Sequence, residues 1–123
     1  MNQCDVLVIG GGPAGSTIST LLSEKKWDVV LLEKDNHPRF HIGESLLPMS
    51  LPIFDKLGVK DKIEKIGMMK MGAEFISPYH NSSKVTYYFK GARDKSHPYA
   101  YQVRRAEFDH ILLVNSKDKG VKV

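Results

Sequence analysis

Two short apolar runs separated by a helical stretch open the chain. Cys4 to Ile9 is rich in β-branched residues and ends in three glycines, which predicts a strand buried on both faces, with Cys4 as a small core residue. Ser16 to Lys25 carries Ile18, Leu21 and Leu22 at helical spacing, and Asp28 to Glu33 predicts a second buried strand. Strand, helix and strand within roughly thirty residues form a βαβ unit, whose strands are parallel and whose crossover is right-handed.

Beyond it, Lys34 to Gly43 is polar, contains His37-Pro38 and reads as a loop. Leu46, Leu47, Met49, Ile53, Phe54 and Leu57 predict a helix over Ser45 to Leu57, capped by Ser45, with Pro48 in its first turn and a kink at Pro52. A short helix over Lys60 to Ile66 follows Gly58. Gly72 to Ser77 and Lys84 to Phe89 alternate as strands around a turn-rich Pro78 to Ser83, and Tyr99 to Val103 is a further strand. Ala106 to Ser116 is an amphipathic helix ended by Gly120, after which Val121 to Val123 looks like the start of another strand.

These elements predict an α/β fold of the Rossmann-like, three-layer kind, with a parallel sheet and a few antiparallel strands from the base of a substrate domain. Residues 1–123 read as one N-terminal unit: a βαβ fingerprint over 4–35, a loop and helix over 38–66, antiparallel strands over 70–104, and a helix with the next parallel strand over 105–123. Three residues are too few for a finished sheet element, so the chain is expected to be the start of a larger protein.

Composition narrows the classes. Hydrophobic residues make up 41% and charged residues 26% of the 123, as in ordinary globular proteins. The formal charge of +4 suits an anionic partner, yet the 18 Lys and Arg are scattered rather than gathered in the run a nucleic-acid arm needs. A single cysteine permits no intrachain disulfide, and no apolar run approaches the ~20 residues of a membrane span. With no visible leader, the expectation is a cytoplasmic location. The five histidines show no metal-ligand spacing, so no metal is assigned.

The chemistry lies in Gly10-Gly11-Gly12-Pro13-Ala14-Gly15, a G-x-G-x-x-G loop between strand and helix. Gly10 allows the tight turn, Gly12 lets a pyrophosphate approach the backbone, and Gly15 lets helix and strand pack closely. The helix N-terminus then offers amides and its positive dipole end to the phosphates. Glu33, 18 residues beyond Gly15, stands where an acid accepts ribose hydroxyls and repels a 2′-phosphate. FAD and NAD both satisfy this arrangement.

Residues Asp5 to Asp35 resemble the FAD-binding start of flavoprotein monooxygenases, in which Pro13-Ala14 and Glu33-Lys34 are typical of FAD users. Pro38-Arg39-Phe40-His41-Ile42-Gly43-Glu44-Ser45-Leu46-Leu47-Pro48 resembles the segment after the second strand in flavin-dependent halogenases, where Gly-Glu-Ser lies along the flavin. The resemblance therefore implies that Gly43, Glu44 and Ser45 approach the flavin. Tyr101 to Asp109 is similar to a strand-to-helix junction whose arginine reaches the FAD phosphates or adenosine, which selects Arg105. Lys70-Met71-Gly72-Ala73-Glu74-Phe75 falls where tryptophan halogenases have the lysine that meets hypohalous acid, which makes Lys70 the catalytic candidate.

The implied cofactor is FAD. The implied partners are a small-molecule substrate, a halide and a flavin reductase, with no nucleic acid. Halogenation, oxygen insertion and a reductase or dehydrogenase reaction stay open, as does a non-catalytic nucleotide-binding module, and the short chain alone is expected to be inactive.

Overall fold

The computed structural model describes residues 3–123. Its centre is a parallel pair, β1 (Val6–Ile9) and β2 (Val29–Leu32), joined by helix α1 (Pro13–Glu24) and registered Val6 opposite Val29 through Ile9 opposite Leu32. Near the chain end, Lys122 bridges Val30 in parallel on the other edge of β2: its amide donates to the Val29 carbonyl at 3.0 Å, and its carbonyl accepts from the Leu31 amide at 2.8 Å. Of the further parallel strand expected over Val121 to Val123, the described residues show this single bridge.

Two helices follow, α2 (Leu51–Leu57) and α3 (Lys60–Ile66), and then β3 (Met68–Lys70), β4 (Gly72–Ser77), β5 (Ser83–Tyr88), β6 (Ala100–Gln102) and α4 (Arg105–Asp118). β4 and β5 form an antiparallel hairpin, and β3 pairs antiparallel with β6. The fold is mixed α/β, with a parallel sheet and separate antiparallel pairs. No helix among the described residues is long and apolar enough to cross a membrane.

Two apolar clusters hold these elements. Leu51, Phe54 and Leu57 of α2 and Ile63 of α3 meet Tyr101, Val103, Phe108 and Leu112, with the Phe54 and Phe108 rings edge-to-face at 5.6 Å. Val29, Leu31, Leu113 and Val121 form the second cluster against Val6, Val8 and Leu22. α4 supplies residues to both. Gly58, left-handed at φ 69°, reverses the chain between α2 and α3.

The structure corrects several expectations. β1 is buried on one face only: Leu7 is 53% and Ile9 83% exposed, because α1 and α4 cover the Val6/Val8 side and none of the described residues covers the other. Cys4 is exposed rather than in the core. The fully buried face of α1 is Ser16, Ser19 and Thr20, while Ile18 is half-exposed. Small side chains let this helix lie close to its neighbours, and the hydroxyls of Ser16 and Thr20 are satisfied by the carbonyls of Gly11 and Ser16 at 2.9 and 2.8 Å.

The single helix expected over Ser45 to Leu57 does not form. Glu44 to Leu46 is extended against β6, a 3₁₀ turn spans Pro48–Ser50, and α2 starts only at Leu51. Pro52 stands in the first turn of α2, where its missing N–H costs nothing, so it begins a helix instead of kinking one. Ser45 is therefore not a helix cap. β3 had no counterpart in the sequence reading.

Ile63 has no exposed surface and lies in the larger cluster. Ile63→Ala is expected to cost about 2–5 kcal/mol, read as a lower urea midpoint with an unchanged denaturant slope.

Candidate functional site

The three glycines of the loop differ in what holds them. Gly10 sits at φ 102°, a conformation that other residues rarely adopt. A Cβ on Gly15 would lie 1.8 Å from the Gly10 carbonyl oxygen, so the fold itself requires glycine there. Gly12 is unlike both. Its φ of −71° suits any residue, and a Cβ would find nothing nearer than Arg39 Nη2 at 3.9 Å. Neither backbone strain nor crowding explains glycine at this position; the open space beside it fits a ligand that approaches the main chain.

Gly12 caps α1 and Pro13 opens it, with no side-chain cap. The Ala14 and Gly15 amides, in the first turn, are therefore left for an outside acceptor. Glu33 turns toward this mouth. Its Oε2 accepts from the Gly11 amide at 2.5 Å and its Oε1 from the Asp35 amide at 2.8 Å. The Asp35 amide holds the carboxyl below the usual range; burial opposes this, and the Gly11 amide and the Arg39 guanidinium reinforce it. The remaining lone pairs of an ionised carboxylate suit ribose hydroxyls.

Sequence reasoning missed two residues of this site. Arg39 lines a 550 Å³ cleft with Gly10, Gly12 and Glu33. Its Nε is 3.5 Å from Asp35 Oδ2 and its Nη1 3.7 Å from Asp109 Oδ2, and both nitrogens are buried without a hydrogen-bond partner among the described residues. They face the two carboxylates, whereas Nη2 turns toward the glycine loop, 3.9 Å from where a Gly12 Cβ would stand, and is the nitrogen a diphosphate oxygen would meet. Asp109 is wholly buried and accepts from Arg105 Nε at 2.7 Å and Arg105 Nη2 at 3.0 Å. The i, i+4 spacing of Arg105 and Asp109 was the available signal. His37, almost fully buried, stands 3.9 Å from Glu33 Oε2, and its burial lowers its pKa so that it is neutral at pH 7.

Arg105 is the first residue of α4, and its Nη1 donates to the Ile42 carbonyl at 2.7 Å. It thereby ties the loop before Gly43 to α4, and with Pro13, Ala14 and Gly43 it borders a 390 Å³ apolar pocket between α1 and α2. Gly43 sits at φ 99°. Phe40 and His41 line both the glycine-loop cleft and a second cleft of 420 Å³ that continues to Glu44 and Ser45. Lys34 is exposed at the rim of the first cleft.

Lys70 comes to the far end of this path. Its Nζ donates to Ser45 Oγ at 2.5 Å and to the Leu46 carbonyl at 2.7 Å, and stands 5.3 Å from the Phe89 ring centre. Burial lowers its pKa. Leu47, Met49 and Phe89 line a neighbouring 290 Å³ apolar pocket. The residues singled out in the sequence thus fall into three contacting sets: the glycine loop with Glu33, Gly43 with Arg105, and Ser45 with Lys70.

Comparison with known proteins places this geometry. Residues 3–123 match the family model described as FAD binding domain. The tryptophan 2-halogenase of Chondromyces crocatus is 42% identical over 118 residues, covering 96% of this chain and 22% of the halogenase. Among solved structures, the myxobacterial chondrochloren halogenase CndH, a FAD-dependent halogenase, superposes with a TM-score of 0.86 at 39% identity, over 98% of this chain and 28% of its own. A flavoprotein/dehydrogenase of Cytophaga hutchinsonii superposes with a TM-score of 0.87 at 34% identity, over 99% of this chain and 30% of its own. The chain spans about a fifth of the length of the curated relatives it matches. Match, glycine cradle and acid agree: the chain belongs to the FAD binding domain family, and its cofactor is FAD.

Proposed function

We propose that the protein to which these residues belong is a flavin-dependent halogenase acting on an organic small molecule, with Lys70 as its catalytic lysine. The observation that carries this reading is the contact of Lys70 Nζ with Ser45 and Leu46. The lysine, which the resemblance selects by its spacing to Phe75 and to the Gly-Glu-Ser segment, lies 25 residues beyond Ser45 in the chain and meets it in space.

In this reading Gly10, Gly12, Pro13, Ala14 and Gly15 cradle the FAD diphosphate, and the Ala14 and Gly15 amides with Arg39 donate to it. Glu33 takes the ribose hydroxyls, and Lys34 borders the adenosine end. Arg105 holds the loop that carries Gly43, Glu44 and Ser45 along the flavin. FAD supplies the redox chemistry with O₂ when it is bound and reduced. Lys70, partly withdrawn from water, orients the oxidised halogen toward the substrate through an N–H. Halide, a small-molecule substrate and a separate flavin reductase are the partners this reading requires, and a cytoplasmic location suits it.

The likeness to the Cytophaga flavoprotein/dehydrogenase supports a second reading, an FAD-dependent dehydrogenase. Lys70→Ala separates the two. In the complete protein supplied with reduced flavin, chloride or bromide and an electron-rich aromatic, halogenated product is expected to fall by about a hundredfold or more, a loss of the size seen when a group aimed at the reacting atoms is removed. A dehydrogenase would give no halogenated product with either lysine or alanine.

Two further outcomes test cofactor binding. Gly12→Leu is expected to keep the urea midpoint, since the fold leaves room for a side chain there. FAD affinity, read by quenching of flavin fluorescence, should fall about a hundredfold as charged hydrogen bonds are lost. Glu33 has a folded pKa below its ordinary 4.5, so its stabilising contribution is complete above pH 4.5 and disappears as pH falls through the lowered value. Acid unfolding followed by circular dichroism should therefore be shallower below pH 4.5 in Glu33→Gln than in the parent chain.

A further inference from the structure

β6 is the middle of three extended segments. On one side it pairs with β3, Lys70 standing opposite Ala100. On the other it takes Glu44 to Leu46, with Ser45 opposite Gln102 and backbone bonds of 2.9 Å from Val103 N to the Glu44 carbonyl and from Leu46 N to the Tyr101 carbonyl. Paired residues share a face, and so do residues two apart along a strand. Lys70, Ala100, Gln102 and Ser45 therefore lie on one face, and Lys70 reaches Ser45 diagonally across β6. Ala100, a methyl side chain, leaves that diagonal open.

From this geometry we infer that Ser45 is a positioning residue for Lys70: its hydroxyl, with the Leu46 carbonyl, holds the ammonium extended over β6 with one N–H free. The inference rests on the reading of Lys70 as the lysine that handles the halogen. The two backbone bonds already fasten Glu44 to Leu46 to the sheet, so the lysine is not needed for that. The half-covered ammonium is paired with two neutral oxygens, so no ion pair among the described residues accounts for a lysine here. Phe89 covers a further side at 5.3 Å. Two of the three ammonium protons are taken, and the third has no acceptor among the described residues. Its direction is set by where the hydroxyl stands.

The test is acylation of lysines by N-hydroxysuccinimide acetate at pH 8 in the full chain, with the rate at each residue followed by peptide mass spectrometry. Lys62 and Lys65, both exposed, serve as references in the same molecule. In Ser45→Ala the Lys70 rate should rise about tenfold, since an acceptor for a charged donor is lost, while Lys62 and Lys65 keep theirs. Ser45→Thr, which retains the hydroxyl, should label at the parent rate. If Lys70 in Ser45→Ala stays within twofold of the parent, or if Ser45→Thr releases it equally, the inference is overturned. Should Ser45→Ala raise all three rates together, Ser45→Cys, similar in volume and weak as an acceptor, carries the same comparison. Labelling rates do not depend on halogenation, so a failure here and a failure of Lys70→Ala in the product assay are separate results.

Discussion

The bond between the Gly11 amide and the Glu33 carboxylate ties the carboxyl ends of two parallel strands together, and the site is arranged around it. It joins residues 22 apart, and with the Asp35 amide, the stronger influence, it keeps the acid ionised beside the glycine loop. With the loop tied there, Gly10 and Gly12 line one side of the cleft and Arg39 another. A parallel pair of four-residue strands has little rigidity of its own; the loop between strand and helix gains its definition from this bond and from Ser16, whose hydroxyl returns to the Gly11 carbonyl.

Positive charge in the cleft is governed from behind. Asp109, buried on α4, is shared between Arg105 at hydrogen-bond distance and Arg39 at ion-pair distance. One carboxylate facing two guanidiniums fixes the arginine nearer the loop of Gly43. The uneven sharing matters: Arg105 is saturated enough to act as a strut, and Arg39 retains unpaired nitrogens.

How much of this was legible in the chain depends on the range of the interactions. The glycine loop, α1, β2 and Glu33 were readable because each follows from local backbone demands and a fixed spacing. The segment after Gly43 was not. Leu46, Leu47, Met49 and Ile53 imitate helical spacing, but the Leu46 amide finds its partner at Tyr101, 55 residues away, and that pairing keeps Glu44 to Leu46 extended. β3 escaped notice for the same reason: three residues carry no alternation, and its partner β6 lies some thirty positions on. On α1 the apolar spacing led to Ile18, whereas close packing selected Ser16, Ser19 and Thr20. The contact of Ser45 with Lys70 required both long-range pairings at once, so only the relation of the motif to the family's lysine, not its geometry, could be anticipated.

The open side of β1 has a practical bearing on work with the isolated chain. Leu7, Ile9 and Leu32 project from one face of a sheet whose β1 edge has no strand beside it among the described residues. Such a surface favours self-association as concentration rises and takes up hydrophobic dyes even when every helix is in place. Dye fluorescence in this chain would therefore report native topography rather than loss of structure, and light scattering at several dilutions is the sounder guide to its colloidal state.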